Sequence, residues 1–520
     1  MKFRLRIDIP ENVKRTIGIF LFVIALAWFF NSIGLPATMS KRPCSIHLFG
    51  QTERASIALN YSERDMNFFL PRIHKFDHGD DGITGMEFPL VPYVPAICYK
   101  LFGFNEIYYR GFVLLIIVAG LFLFYQLVYS VTKSYVLSLG LIAAAYFSPA
   151  LIFYSNNFMP DVPSLGFVLA GWYYFFKFLR NEQNKKYFRI YWLLMLLGIL
   201  IKITSFISLT AVIGLVILDS MGFFKKTSER GFLFSKNQKR TIIVGYILTI
   251  LLVAAWYLYA RWLSNHYKNA GFLLSQTVET AWAEIVGIWS YINKVHKYEY
   301  FTYEGYVLFG SLFTVLLLGY KFVSRLYFTI TILILIGNLI FICLFFSQFH
   351  DHEYYIIPLL PFIFMLVLTF GDFLQRVSLR FSRLIYFAFL VILFFNLKES
   401  AAACKKDFTL KYEPKYIRWV SDFESYWDLE PKLRKLGIKN TDYTLAGFDK
   451  SFCNSLYLMN QLGYSFDEKI SKEDLKKLIE NPRYKYLVIS DSTKFNAFYP
   501  NSFSQNIVTT HRGLIVYKLR

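Results

Sequence analysis

Acidic side chains recur in this sequence where long apolar runs end. Glu53 follows the first such run, within "GQTERASIALNY", and Asp161 lies in "NNFMPDVPSL" at the start of another. Glu87 lies between them along the chain, within "MEFPLVPYVPAICYKLFG". Carboxylates can take a proton from a hydroxyl or an amine, and they can also hold a divalent metal. These three residues are therefore candidates for acid–base chemistry or metal binding.

Two cationic side chains occupy comparable positions. Lys202 interrupts the apolar stretch "GILIKITSF", and Arg110 stands at the start of another apolar run. Cationic side chains can hold a phosphate group. A carboxylate near a phosphate-binding cation at a membrane surface suits a lipid-phosphate-linked donor, whose phosphate is already a good leaving group.

A further group of candidates lies in "FHDHEYYIIPLLP", between two apolar runs. It contains His350, His352, Glu353 and Tyr355. Two histidines at positions i and i+2 of a loop can ligate one metal ion. The same short pattern is also compatible with ordinary loop structure, so metal or donor contact and a structural role both stay open.

Each of the single candidates also has a structural explanation. Glu53 would cap a helix predicted to begin there, because a carboxylate is favourable at a helix N-terminus. Asp161 stands between two prolines, which is a normal helix-start pattern. Lys202 can snorkel to the membrane interface, Arg110 can anchor the topology, and Glu87 can bond to nearby backbone.

The elements that must position these residues are membrane spans. The chain of 520 residues is 55% hydrophobic and only 18% charged, whereas soluble proteins average about 25% charged residues. Apolar runs of roughly 20 residues, the length that crosses the hydrocarbon core, recur along the chain. We predict eleven spans, near residues 16–35, 109–130, 135–154, 161–180, 189–201, 204–221, 241–263, 304–320, 326–349, 355–374 and 383–398.

The distribution of Lys and Arg predicts the orientation of these spans. The net charge of +20 is carried mostly by short loops between apolar runs. Membrane topology therefore explains it, and nucleic acid is not an expected partner. The basic segments, which we expect to be cytoplasmic, are 1–15, 177–189, 222–240, 321–325 and 376–383. An odd number of spans then places the N-terminus in the cytoplasm and the C-terminus outside it.

Within residues 1–398, the predicted transmembrane domain, two outer loops are too long to be simple connections. The first loop, 36–108, contains two stretches that we expect to be amphipathic helices on the membrane surface, 53–63 and 90–102. The second loop, 264–303, is rich in Trp, Tyr and His. All the candidate residues lie on this outer side, so we expect the chemistry at the outer membrane face.

The remaining residues, 399–520, form a tail of different composition. Short apolar runs, "YTLAGF", "YKYLVIS" and "GLIVYKL", alternate with stretches predicted to be helical at 451–461 and 470–480. This alternation predicts a small soluble α/β domain outside the membrane.

This layout resembles the GT-C superfamily of membrane glycosyltransferases. The nearest groups are the aminoarabinose–lipid A transferases and the protein O-mannosyltransferases (glycosyltransferase family 39-like). The stretch "GQTERASIALNY" is similar to the "DE-x-x-YA-x-IA" segment of their first outer loop, with Glu53 in the carboxylate position and Thr52 where the family has a second acid. Uncharacterised bacterial members resemble this chain in further segments, namely "NFFLPR" (67–72), "MEFPLVPYVPAICYKLFG" (86–103), "MPDVP" (159–163) and "HEYYIIPLLP" (352–361).

The resemblance implies an α-helical polytopic GT-C-like fold and a location in the bacterial inner (plasma) membrane. It implies an inverting glycosyltransferase that moves a sugar from a polyprenyl-phosphate donor to a lipid, glycan or protein acceptor. Glu53 or Asp161 would act as the base, and Lys202 and Arg110 would contact the donor phosphate. Two carboxylates brought together repel unless they share a proton or a cation, so Glu53 and Asp161 would share either a proton or a divalent metal.

Two other functions would also require charged residues in a multi-pass membrane protein. A transporter or flippase of lipid-linked saccharides would carry charges near the bilayer midplane and often shows inverted repeats. Here the charges cluster toward one face, and the sequence contains no visible repeat. An O-antigen polymerase or ligase also works at the outer face, but typically through Arg-rich outer loops.

Overall fold

The computed structural model describes residues 11–76, 81–181, 184–225, 231–269, 278–380, 383–413, 423–498 and 506–520. Most of these residues are helical, and the chain is a multi-pass membrane protein. Among the described residues, seven helices are long and apolar enough to cross a membrane. An eighth is added if the helical segments Trp282–Tyr300 and Tyr303–Leu318, which meet at 90°, form one broken span. The predicted count of eleven spans is not confirmed.

The helices up to residue 411 are numbered in chain order. They are α1 (Glu11–Ser32), α2 (Leu48–Glu63), α3 (Leu90–Phe102), α4 (Glu106–Thr132), α5 (Tyr135–Tyr146), α6 (Pro149–Tyr154), α7 (Asp161–Arg180), α8 (Lys185–Ile201), α9 (Phe206–Ser220), α10 (Lys236–His266), α11 (Trp282–Tyr291), α12 (Lys297–Tyr300), α13 (Tyr303–Leu318), α14 (Arg325–Phe345), α15 (Gln348–Asp351), α16 (Leu360–Arg380) and α17 (Arg383–Lys411).

Several boundaries differ from the sequence prediction. The predicted span 135–154 is divided into α5 and α6, because Pro149 cannot continue the first helix and instead opens the second one. The surface helix expected at 53–63 already begins at Leu48. The last helix does not end at 398 but continues to Lys411, so the predicted domain boundary falls inside α17.

The centre of the helical bundle is α7, which packs on α4 and α8. A Cβ atom on Gly120 of α4 would lie 2.4 Å from the carbonyl oxygen of Gly166 of α7. Only glycine therefore permits the close approach of these two backbones. This packing fixes the N-terminal end of α7, where Asp161 is the first helical residue.

The tail forms a small five-stranded sheet with strand order β2-β1-β3-β5-β4. The strands are β1 (Thr444–Gly447), β2 (Gly463–Phe466), β3 (Tyr486–Ile489), β4 (Ile507–His511) and β5 (Leu514–Lys518). The first three are parallel to one another, and β5 is antiparallel to β3 and β4. The three apolar runs of the tail become β1, β3 and β5, as predicted, whereas β2 and β4 are too polar to be recognised in the sequence.

The tail rests on the first outer loop. The backbone N–H of Gly463 donates to the carbonyl of His74 (3.0 Å), and the N–H of Phe76 donates to the carbonyl of Gly463 (2.7 Å). The Tyr457 hydroxyl donates to the Glu106 carboxylate at 2.9 Å. As a result α2, whose central residues are buried, is covered by protein rather than lying free on the membrane surface.

Candidate active site

The position of Glu53 within α2 excludes its role as a helix cap. The helix begins at Leu48, after His47 in a left-handed conformation with φ 53°. Glu53 therefore lies in the second turn, where the backbone N–H groups are already used by the helix. The alternative explanation from the sequence, a carboxylate at the helix N-terminus, is wrong.

The surroundings of Glu53 make it a candidate general base. Its Oε2 lies 3.7 Å from Nη1 of Arg54, while Nε of Arg54 donates to the Glu87 carboxylate at 2.7 Å. Burial raises the pKa of Glu53 to about 7; Arg54 opposes this shift and Glu87 adds to it. A carboxylate with a pKa close to neutral pH is suited to proton abstraction. The predicted Glu87 is thus brought to the site, as the main partner of Arg54.

Asp161 and Lys202 form a second charged pair. Nζ of Lys202 lies 3.0 Å from Oδ1 of Asp161, whose side chain is fully buried. Lys202 occupies the break between α8 and α9, where its backbone is extended. Its ammonium group also lies 5.4 Å from the ring centres of Tyr354 and Tyr355. The structure therefore brings together Asp161, Lys202 and Tyr355, three of the residues selected from the sequence.

The two candidate bases are not partners of each other. Glu53 interacts with Arg54, and Asp161 interacts with Lys202. No ion pair or hydrogen bond joins Glu53 to Asp161 in the described part of the chain. The predicted sharing of a proton or metal between these two carboxylates is thus replaced by two separate ion pairs. Arg54 connects the pairs electrostatically, since its charge acts on both Glu53 and Lys202.

A third polar group surrounds Glu353, which is 2% exposed. Its carboxylate lies 2.7 Å from Nε2 of His47 and accepts a hydrogen bond from the Tyr154 hydroxyl at 2.6 Å. The His47 ring stacks on His352 with 5.4 Å between ring centres. His47 and Tyr154 were not selected from the sequence. His47 could have been found, because it stands six residues before Glu53 in the same outer segment.

The two histidines of the "HDH" pattern do not converge on one point. His350 pairs with Asp351 (Nδ1 to Oδ1, 2.6 Å) and stacks on Tyr291, with ring centres 4.1 Å apart. His352 instead lies against His47. The i, i+2 spacing therefore places the two rings in different environments, which favours a structural role for them over joint metal ligation.

Another set of residues does converge. Ligand atoms of His296, Glu299 and Glu353 lie within 4.8 Å of one another. Nε2 of His296 faces the carbonyl of His350 at 2.9 Å, so this nitrogen carries a proton and Nδ1 is the nitrogen that a metal ion could take. One imidazole nitrogen and two carboxylates are a donor set that suits a zinc- or manganese-type ion. The spacing His296-x-x-Glu299 in the second outer loop was a signal for this group that sequence reasoning missed.

A buried cation lies beside this group. Lys411, at the end of α17, pairs with Asp407 (Nζ to Oδ2, 3.0 Å) and lies 3.8 Å from the Glu299 carboxylate. Only the continuation of α17 beyond residue 398 brings this lysine to the site. Its charge offsets part of the repulsion between the surrounding carboxylates.

Arg110 is a structural residue. It is fully buried, and its Nε donates to the carbonyl of Lys41 (3.1 Å) while Nη2 donates to that of Arg42 (3.2 Å). Nη1 donates to the carbonyl of Asn156 and to the hydroxyl of Tyr412. Because its donors are used by the protein, its predicted contact with a donor phosphate is not supported.

Comparisons with known proteins agree with this architecture. The family model described as dolichyl-phosphate-mannose-protein mannosyltransferase matches residues 86–228. No curated protein matches the sequence. The structure of ArnT from Cupriavidus metallidurans in the apo state matches with a TM-score of 0.59 at 13% identity, over 98% of each chain.

Two further solved structures share the fold. ArnT from the same organism, bound to undecaprenyl phosphate, matches with a TM-score of 0.58 at 13% identity, over 96% of this chain and 98% of that chain. The arabinofuranosyltransferase AftD from Mycobacteria matches with a TM-score of 0.51 at 11% identity, over 90% of this chain and 35% of that chain. The resemblance to the GT-C superfamily, and the GT-C fold that it implied, are confirmed.

Proposed function

We propose that this protein is an inverting glycosyltransferase that uses a polyprenyl-phosphate-linked sugar as donor. The observation that carries the proposal is Glu53, a desolvated carboxylate with a pKa of about 7, beside the cation Arg54, whose charge also acts on Lys202. Transfer from such a donor requires a base that takes the proton of the acceptor and a cation that binds the lipid phosphate. The same fold in another protein holds undecaprenyl phosphate, which supports a lipid phosphate as the donor group.

The reaction needs one proton transfer and one displacement. Ionised Glu53 takes the proton from an acceptor hydroxyl or amine, and the freed electron pair attacks the anomeric carbon of the donor sugar. The bond between that carbon and the phosphate oxygen breaks, and the polyprenyl phosphate leaves with the bonding electrons. Attack opposite the leaving group inverts the anomeric configuration. The transferred group is a hexose or a pentose.

Lys202 is the residue that we assign to the donor phosphate. Its ammonium group is held by Asp161 on one side and lies against the rings of Tyr354 and Tyr355. A positive charge at this point stabilises the negative charge that develops on the leaving phosphate. Asp161 then acts as the residue that positions Lys202 rather than as a second base.

A divalent metal is the cofactor that we propose, held by His296, Glu299 and Glu353 rather than by Glu53 and Asp161. The fit rests on the convergence of His296 Nδ1 with the two carboxylates beside it. When bound, such an ion would act as a Lewis acid toward phosphate oxygens.

The acceptor is a lipid, a glycan or a protein at the outer face of the bacterial inner membrane, and membrane lipids surround the spans. This orientation rests on the basic loops, which favour the cytoplasm. A reporter fused after Arg520 should be active only outside the cytoplasm, and one inserted within 222–240 only inside it. A cytoplasmic signal from the C-terminal fusion would place the tail on the wrong side for this proposal.

The central experiment separates transfer from transport. Purified protein in nanodiscs, supplied with polyprenyl-phosphate sugars and a mixture of cell-envelope acceptors, should release free polyprenyl phosphate. A flippase would move the donor between leaflets without breaking it, and a polymerase or ligase would not consume a monophosphate-linked sugar. Absence of released polyprenyl phosphate together with donor movement across the bilayer would contradict the proposed reaction.

A further inference from the structure

The tail contains a cavity that the proposed reaction does not use. Its volume is about 860 Å³, which lies within the range of about 300–1,000 Å³ typical of small-molecule sites. Residues that directly follow three strands line it: Phe448 after β1, Asp467 after β2, and Ser490 after β3. The cavity thus opens at the carboxyl edge of the parallel part of the sheet.

The strand order explains why a cavity forms there. The chain passes from β1 to β2 on one side and then crosses to β3 on the other side of β1. Connections that leave in opposite directions open a crevice at the carboxyl ends of the strands, where α/β folds bind ligands. The opposite edge of the sheet is used for docking, because Gly463, the first residue of β2, pairs with the backbone of residues 74–76. None of the residues that line the cavity is one of those assigned to the transfer reaction.

Some of the lysine side chains around the cavity form ion pairs with nearby carboxylates, and others do not. Lys494 is engaged by Glu468 (2.7 Å) and Asp491 (3.7 Å). Lys450 and Lys469 are exposed and make no ion pair with any residue in the described part of the chain. Two free ammonium groups at the mouth of a cavity favour a ligand with a negative charge.

The remaining lining is suited to sugar rings. An aromatic face is provided by the half-buried Phe448, and hydroxyl groups by Ser490 and Ser492. The carboxylate of Asp467, half-buried in the wall, can accept hydrogen bonds from sugar hydroxyls. An aromatic face, hydroxyl groups and a carboxylate together match a polyhydroxylated ligand better than a lipid chain.

We infer that this cavity binds an acidic saccharide. Its carboxylate or phosphate group contacts Lys450 and Lys469, its hydroxyls contact Asp467 and Ser490, and a ring face lies on Phe448. The inference goes beyond the proposed transfer reaction, because a glycan held here touches none of the residues assigned to that reaction. It gives the tail a binding function of its own.

The test measures binding by the full-length protein in nanodiscs, with fluorescently labelled tetragalacturonic acid as the acidic probe. Physiological salt limits non-specific attraction to a chain of net charge +20. We expect saturable binding, and the double variant Lys450→Gln/Lys469→Gln should weaken it by about tenfold or more, because hydrogen bonds to charged groups are the strong ones. Lys435→Gln, which removes an exposed lysine of the same domain outside the cavity, is the matched control and should leave the affinity unchanged.

Two competitors define the ligand class. Unlabelled maltotetraose, which is neutral, and inorganic phosphate, which lacks sugar rings, should each displace the probe much more weakly than unlabelled tetragalacturonic acid. The inference is overturned by absence of saturable binding, by an equal effect of the lysine pair and the control, or by equal displacement with either competitor. Because the readout is binding and not turnover, these outcomes are independent of whether the protein transfers sugars.

Discussion

Substitution of Glu53 by Gln separates the base from every other feature of the site. Gln has nearly the same size and still accepts a hydrogen bond through its amide oxygen, so α2 and its contact with Arg54 should survive. What is lost is the carboxylate that takes the proton. General acid–base groups contribute about 10²–10⁴-fold, so we expect transfer to fall by about 10²-fold or more.

The pH dependence provides a second and sharper signature. Burial raises the pKa of Glu53 to about 7, and only the ionised carboxylate can accept a proton. In the wild type, kcat/KM should therefore be low below pH 7, rise through that pH, and reach a plateau above it. In Glu53→Gln this rising limb should disappear, because the remaining activity no longer depends on that ionisation.

The assay is the release of radiolabelled polyprenyl phosphate from its sugar conjugate between pH 5.5 and 8.5. Glu63→Gln is the matched control, since it removes a carboxylate from the same helix at a position that contacts Asn460 of the tail. That variant should keep near-normal transfer. Binding of undecaprenyl phosphate by Glu53→Gln would show that the protein is folded. Near-normal transfer with an unchanged pH profile in Glu53→Gln would refute the assignment, and the base would then have to be sought at Asp161 or Glu87.

Three further predictions follow from the other polar groups. Lys202→Gln should weaken binding of undecaprenyl phosphate by about tenfold. Asp161→Asn should weaken it less, because the amide oxygen can still accept a hydrogen bond from the ammonium group and hold it in place; equal losses in a binding titration would make the pair purely structural. Removal of divalent metal by a chelator should lower transfer, and added Zn²⁺ or Mn²⁺ should restore it. His296→Ala should prevent this restoration, and full activity after chelation would contradict the metal proposal. Burial lowers the pKa of His74, which contacts Asn460 of the tail, to about 4. The free energy of unfolding should therefore decrease as the pH falls from about 6.5 toward 4, by ~2 kcal/mol at pH 5. Melting curves against pH should show this loss, and His74→Gln should remove it; an unchanged slope in that variant would assign the loss to other groups.

Several features could be read from local sequence. Hydropathy alone places the long helices, because an apolar run of about 20 residues has few alternatives to crossing a membrane. Short apolar runs were enough to recognise β1, β3 and β5 in the tail. The candidate residues Glu53, Glu87, Asp161, Lys202, Glu353 and Tyr355 do lie in polar groups of the structure, because ionisable side chains beside spans are costly unless they are paired.

The sequence did not predict which ionisable residues pair with one another. Glu53 and Asp161 were expected to act on each other, but Arg54 and Lys202 take those places. In the sequence Arg110 and Lys202 are both cations beside or within apolar runs. In the structure, however, Arg110 is surrounded by backbone carbonyls. Whether a buried cation faces a site or the protein interior depends on which carbonyls surround it, and that is decided by packing between distant segments.

The amino-acid sequence by itself determined that this chain is a multi-pass membrane protein with its ionisable residues at the span ends, since hydropathy and charge act within about one helix length. Only the tertiary structure decided which of those residues meet. His47 reaches Glu353, 306 positions later, and Tyr457 reaches Glu106, 351 positions earlier. Such contacts depend on how α2, α17 and the tail pack against the helical bundle. The periodicity of the sequence reports only on local structure, so it does not predict contacts between residues that are hundreds of positions apart.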